Sequence, residues 1–202
     1  MTDKNMSQRI KDIISASLLV KQQILSDQQI QQTVQDCIDV MITAFKNGNK
    51  ILFCGNGGSA ADAQHLAAEF CGRFYIDRDA LPAEALHCNT SYLTAVANDY
   101  SFDVIYSRMI KGIGKKGDVL VGLSTSGNSE NIVKAFEMAK EKEMTSIAFT
   151  GQTGGKMKGL ADYLLNIPST DTPRIQECHI LLGHIICQMV EEGMVSNKVD
   201  LI

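Results

Sequence analysis

Four side chains in this sequence have types and spacings that suit proton transfer or metal binding. His65 and Glu69 stand four positions apart, which on a helix places them on one face. Gln176 and His184 stand eight apart near the far end of the chain. A single histidine on a helix is more often a hydrogen-bonded core or surface residue. Two histidines, a glutamate and a glutamine beside an anion-binding loop point instead to chemistry, and two histidines with a carboxylate also make a zinc set. Eight helical residues rise about 12 Å, whereas two ligands of one zinc, each bonded at about 2 Å, lie only a few ångströms apart. Gln176 and His184 of one straight helix therefore cannot easily share a metal. If both serve one site, they come from different subunits, and the enzyme is an obligate oligomer.

Two loops have the composition of anion sites. Ser124-Thr125-Ser126-Gly127-Asn128-Ser129 places four hydroxyls within six residues, between an apolar run and a helical pattern. A phosphate there would receive hydroxyl and backbone donors together with the positive end of a helix dipole. Helix capping by Asn128 or Ser129, with Gly127 as the turn, accounts for one hydroxyl and not for four. No lysine follows as in a P-loop, which argues against nucleoside triphosphate hydrolysis. The second loop, Gly55-Asn56-Gly57-Gly58-Ser59-Ala60, also follows an apolar run and opens a helix, so its N–H groups can converge on an anion. It fits a G-x-G-x-x-A pattern. A dinucleotide site, however, needs an acidic residue closing the second strand to hold the ribose, and that strand ends His87-Cys88-Asn89.

The elements that must position these groups follow from periodicity. Met6, Ile10, Ile13, Ile14 and Leu18 recur at helical spacing. Ser26-Asp27 offers a break and a cap, and Ile30, Val34, Cys37, Ile38, Met41, Ile42 and Phe45 form a second stripe ending at Gly48. Two amphipathic helices ahead of the first strand need a partner surface, either their own domain or, the reading favoured here, a helix bundle between subunits. Strands are predicted at 51–54, 85–87, 118–123, 145–150 and 163–167, with helices at about 60–71, around Leu93 and Ile105, at 130–142 and at about 174–192. Short apolar strands alternating with helices predict a doubly wound, five-stranded parallel sheet flanked by helices, an α/β fold in which ligands sit beyond the carboxyl ends of the strands. Both loops fall at such ends.

Bulk properties narrow the function classes. At 202 residues one core is the default, giving a single domain with helices over 1–48 and an α/β core over 49–202. A net charge of −4 argues against a nucleic-acid partner. No run of about 18 apolar residues is present to span a membrane. The segment Met1-Thr2-Asp3-Lys4-Asn5 leads into an amphipathic pattern rather than a signal peptide. Six cysteines (Cys37, Cys54, Cys71, Cys88, Cys178 and Cys187) are scattered singly among apolar residues with no Cys-x-x-Cys, which predicts that most are buried thiols and fits a cytoplasmic location.

Taken together, these segments resemble the SIS (sugar isomerase) fold family, and within it the sedoheptulose 7-phosphate isomerases. The carriers are Cys54 to Ser59, His65-Leu66-Ala67-Ala68-Glu69, Ala97-Asn98-Asp99, Leu123 to Ser129, Thr150-Gly151 with Gly154-Gly155-Lys156-Met157, and Arg174 through His184. The segments Asp77 to Pro82 and Ser169 to Pro173 depart from the family pattern. The resemblance implies conversion of sedoheptulose 7-phosphate to D-glycero-D-manno-heptose 7-phosphate, the first step toward ADP-heptose for lipopolysaccharide core. It also implies a homotetramer with active sites at subunit interfaces. Glu69 and His184 match the family's catalytic pair, and His65, Glu69, Gln176 and His184 match its zinc ligands, one zinc per subunit. Substrate contacts carry over to Asn56, Gly57, Gly58, Ser59, Glu69, Asn98, Asp99, Ser124, Thr125, Ser126, Ser129 and Gln176.

The implied chemistry moves a proton between C1 and C2 through an enediol, with one base for the carbon proton and an acid or metal at the developing oxyanion. Two other readings within the fold family are a non-enzymatic tetramer that bridges a bacterial replication initiator and a sugar-phosphate sensor. The initiator-binding branch lacks the catalytic Glu and the second His, both present here as Glu69 and His184.

Overall fold

Five short apolar runs pair into one parallel sheet, in a computed structural model that describes residues 3–195. The strands are β1 (Ile51–Gly55), β2 (Ala83–Ala85), β3 (Val119–Ser124), β4 (Thr145–Thr150) and β5 (Tyr163–Asn166), in the order β2-β1-β3-β4-β5. All four pairings are parallel, with Gly55 opposite Leu123 and Ser124 opposite Thr150. Alternation along the strands feeds two cores. Ile51, Phe53, Val121, Leu123, Ile147 and Phe149 face one side of the sheet, while Leu52, Cys54, Leu120 and Ala148 face the other. Burial on both faces is why these strands are short, nearly unbroken apolar runs.

Among the described residues six helices cover the two faces and a seventh precedes them. On the first side lie α2 (Gln28–Lys46), α3 (Gly58–Cys71) and α7 (Thr172–Met194); on the second lie α4 (Thr90–Asp99), α5 (Ile105–Ile113) and α6 (Glu130–Glu141). The remaining helix, α1 (Asp3–Ser26), precedes α2, and Asp27 makes the break as expected: its carboxylate accepts from the N–H groups of Gln29 and Ile30. Only the end of α1 enters the core, through Val20 and Ile24. Met6, Ile10, Ile13, Ile14, Leu18, Leu19 and Leu25 are each between 47% and 75% exposed, an apolar stripe without a partner among the described residues. No described helix is long and apolar enough to cross a membrane.

Two expectations shift in detail. The second strand is Ala83–Ala85 rather than 85–87: Leu86 still donates its N–H to the Phe53 carbonyl at 2.9 Å, but the chain turns at His87. The exposed Glu84 on this edge strand hid its start from a reading based on apolar runs. The third strand begins after Asp118, whose buried carboxylate instead accepts from the N–H groups of Lys50 and Lys115. Of the six thiols, Cys37, Cys54, Cys178 and Cys187 are buried, while Cys71 and Cys88 are exposed.

The long helix α7 crosses the first face with His179 wholly buried against β4. The His179 Nε2–H donates to the Thr150 carbonyl at 3.1 Å, and its ring stands perpendicular to that of Phe149 at 5.6 Å. Burial pushes this imidazole down to about 4, the bond to Thr150 opposing the shift. Its unfolded value lies near 6.5, so the neutral ring's contribution is intact above that pH and is lost as pH falls from about 6.5 towards the folded value. Urea unfolding followed from pH 7 to pH 5 should therefore lose on the order of 1–2 kcal/mol through this group. His179→Gln should flatten that dependence.

Candidate active site

The strand order reverses between β1 and β3, so the loops leaving these two strands part at a topological switch point. The sequence candidates lie there and on the helices that follow. Gly57, at φ +56, turns the chain into α3 with no side-chain cap, leaving the helix terminus to an incoming group. Asn56 and Asn131, the latter buried at the start of α6, exchange amide bonds of 2.8 and 2.9 Å and tie the β1 loop to the helix that follows the β3 loop. Much of the Asn56 amide is therefore engaged within the protein. Ser59 is buried, and Gln176 of α7 lies against Gly58 so closely that a Cβ there would stand 2.7 Å from Gln176 Nε2.

The β3 loop engages its serine hydroxyls within the loop and not in capping α6. Ser129 is the N-cap of α6, yet its side chain makes no capping bond; its Oγ lies 3.1 Å from Ser124 Oγ. Ser126 Oγ accepts from the Asn128 N–H, while the Asn128 amide donates to the Ser126 carbonyl and accepts from the Lys156 N–H. The floor of the loop is backbone on backbone. Gly127 has φ +65, and a Cβ on it would fall on the Gly154 carbonyl. A cavity of about 260 Å³ opens beside it, walled by Thr125, Ser126, Gln152, Thr153, Ser169 and Thr170. Gln152 and Thr153 were not singled out from sequence; their signal was their place just past the end of β4, beside the hydroxyl loop. A larger hollow of about 600 Å³, near Asp36, Asp39 and Asn49, lies at the amino ends of the strands and holds none of the candidate residues.

The titratable groups meet on the seam between α3 and α7. The two helices run side by side in the same direction, with Gln176 at Gly58 and Gly183 at Leu66. A Cβ on Gly183 would stand 2.7 Å from the Leu66 side chain, so the glycine permits the close approach. His65 Nε2 lies 2.9 Å from His184 Nε2 and 3.3 Å from Glu69 Oε1. Asp62, one turn before His65, belongs to the same neighbourhood: burial raises its carboxyl, and the two histidines oppose that shift. Its position three residues from His65 on one helix face was the available signal. Asn98 and Asp99, exposed on α4, bond to each other at 2.9 Å, and among the described residues no hydrogen bond or ion pair joins them to this seam.

The donor set suits zinc in kind, and the 2.9 and 3.3 Å separations resemble those between ligands about 2 Å from one tetrahedral ion. Yet among the described residues no group of three or more His, Cys, Asp or Glu is arranged to hold a metal ion. Gln176 stays two turns away at Gly58. The His65–His184 and His65–Glu69 spacings are thus each those of a donor pair, without a closed ligand set in one chain's described residues.

A parallel sheet with hydroxyl-rich and glycine-rich loops at its switch point defines a phosphosugar-binding α/β architecture. The SIS domain family model matches residues 13–151, and the chain belongs to that family. Within it the similarity is to the phosphoheptose isomerases. The chain is 51% identical to the phosphoheptose isomerase of Aneurinibacillus thermoaerophilus over 96% of this chain and 98% of that one. It is 52% identical to that of Clostridium acetobutylicum over 93% and 95%. The structure of a phosphoheptose isomerase from Neisseria gonorrhoeae superposes with a TM-score of 0.87 at 43% identity, covering 93% of this chain and 99% of that one.

Because Gly127 combines a left-handed backbone with contact against Gly154, Gly127→Ala should displace the hydroxyl loop. The expected result is a Michaelis constant for a sugar phosphate raised at least tenfold, with inorganic phosphate losing its power to compete. Steady-state kinetics with phosphate as competitor measures both.

Proposed function

We propose that this chain interconverts sedoheptulose 7-phosphate and D-glycero-D-manno-heptose 7-phosphate, supplying heptose synthesis in the cytoplasm. The observation that carries the reading is the convergence of Glu69, His65 and His184 on one seam, in a chain about half identical to named phosphoheptose isomerases. In this proposal the sugar's phosphate sits in the Ser124–Ser129 loop, taking donors from Ser124, Thr125, Ser126 and Ser129 and the N-terminus of α6. Asn56 to Ser59 line the sugar, with Asn98 and Asp99 contributed across a subunit contact.

The isomerisation needs a proton lifted from C1 of the ketose and returned to C2 of the aldose, with the hydroxyl proton moving between O1 and O2. Glu69 takes the carbon proton, and His184 donates to O2 as the enediol forms. In the second half His184 removes the O1 proton while the carbon proton is delivered to C2. His65 is placed to orient both partners through its Nε2. When bound by His65, Glu69 and His184, with Gln176 from a neighbouring copy, zinc would polarise the substrate oxygens.

Assembly follows from the same residues. The exposed stripe of α1 gives a second copy an apolar surface to cover, and the helix rise between Gln176 and His184 calls for that copy to complete the site. A homotetramer built on the N-terminal helices meets both needs. The replication-initiator adaptor and sensor readings have no use for the Glu69–His184 pair.

Incubating the protein with sedoheptulose 7-phosphate, with and without zinc, should yield an aldose of unchanged mass, seen by NMR. Glu69→Gln and His184→Gln should each lower turnover by roughly 10³-fold while the assembly stays intact; retained activity in either would remove that residue from the pair. Replacing Ile14 and Leu18 together by Asp should give a lighter species in light scattering and abolish turnover. A full-sized, active double variant would dismiss the composite site.

A further inference from the structure

The segment that leaves α3 is held by a buried charge whose purpose the proton-transfer scheme does not explain. Glu191 of α7 is 1% exposed. Its Oε1 accepts the Phe74 N–H at 2.9 Å, and its Oε2 accepts those of Tyr75 and Ile76 at 2.7 and 2.9 Å. Arg78 Nε lies 3.0 Å from the same Oε1. That N–H is not aimed at a partner, so the contact is a charge pairing rather than a directed bond. The rest of the guanidinium is directed elsewhere: Nη1 donates to the Phe70 carbonyl at 2.9 Å and Nη2 to the Glu69 carbonyl at 3.0 Å.

These bonds converge on the seam. Through Arg78, the carboxylate is linked to the last carbonyls of α3, including that of Glu69. Through the three consecutive N–H groups, it fixes the backbone that carries Phe74. The Phe74 ring then lies 5.6 Å from the His184 ring, tilted by 44°. Burying a carboxylate raises its pKa, but the three N–H donors and Arg78 reverse the sign here and hold Glu191 ionised. An ionised, satisfied carboxylate can fix three backbone groups at once, which a neutral side chain of the same size cannot do.

We propose that Glu191 and Arg78 are positioning residues for the isomerase reaction, acting by setting Phe74 against His184 and holding the end of α3 that bears Glu69. This rests on the isomerase reading above, but its physical core is testable apart from turnover. Buried ion pairs are often structural only, so the distinguishing readout must follow the active-site rings rather than stability.

The first measurement is the His184 Hε1 resonance in the full-length protein. Phe74→Leu removes the ring current and should shift that resonance. Glu191→Gln, which does not touch His184, should shift it the same way and also move the Phe74, Tyr75 and Ile76 amide signals. An unmoved His184 resonance in folded Glu191→Gln overturns the proposal, whatever the activity. The second measurement is kinetic and uses the half-buried Phe74, where folding is least at risk. Phe74→Ala should lower kcat at least tenfold with KM within about twofold, and Phe74→Tyr should restore it. Wild-type kcat in Phe74→Ala also overturns it. Loss of turnover in Glu69→Gln with an unshifted His184 signal in Glu191→Gln would leave the isomerase reading standing and remove only this one.

Discussion

The close parallel packing of α3 on α7 is the constraint from which the site follows. Gly183 has no side chain, so Leu66 settles against the α7 backbone. Once that contact is made, helical geometry fixes its neighbours: His65 meets His184 one residue to the side, Glu69 follows one turn later, and Gln176 is carried back to Gly58 two turns earlier. A larger residue at position 183 would push the helices apart and open the 2.9 Å imidazole contact. Core packing thus sets distances that the proposed chemistry requires to within fractions of an ångström.

Anchoring and proton transfer are handled by different parts of the fold. The β3 loop stands on the rigid end of a central strand, braced by Gly127 against Gly154 and by Asn128 against Lys156. The Asn56–Asn131 amide pair ties this loop's helix to the β1 loop. His179 joins the two parts. It belongs to α7, yet its ring holds the Thr150 carbonyl, and the next residue, Gly151, donates its N–H to Thr125 in the hydroxyl loop. Two hydrogen bonds, on either side of the Thr150–Gly151 peptide group, therefore connect the helix bearing His184 to the loop proposed to hold phosphate.

Much of this was legible in the residues because period and composition reported it directly. Strand runs such as Ile51–Cys54 and Val119–Leu123 are buried on both faces and cannot be confused with surface segments. The spacing of His65 and Glu69 placed them on one face without any tertiary knowledge. What escaped was set by packing between distant segments. Nothing local marks Glu191 as different from the exposed Glu192 beside it; only the return of residues 74–76 to α7 makes it a buried acceptor of three N–H groups. Gln152 and Thr153 become cavity walls only because β4 lies next to β3. Edge strand β2 was displaced in the reading because its alternate residue, Glu84, faces solvent.

Gln176 and His184 stand eight residues apart on a single helix. In principle a kink could have brought Gln176 back towards His184, but α7 runs unbroken from Thr172 to Met194. The glutamine lies beside Gly58, at the mouth of the β1 loop, two turns from the seam where His65 meets His184. Each chain thus holds Gln176 two turns from its histidine pair, and among the described residues nothing covers the apolar stripe of α1. In the proposed homotetramer a second copy would meet both needs, because the contact that buries the stripe would also deliver the missing glutamine.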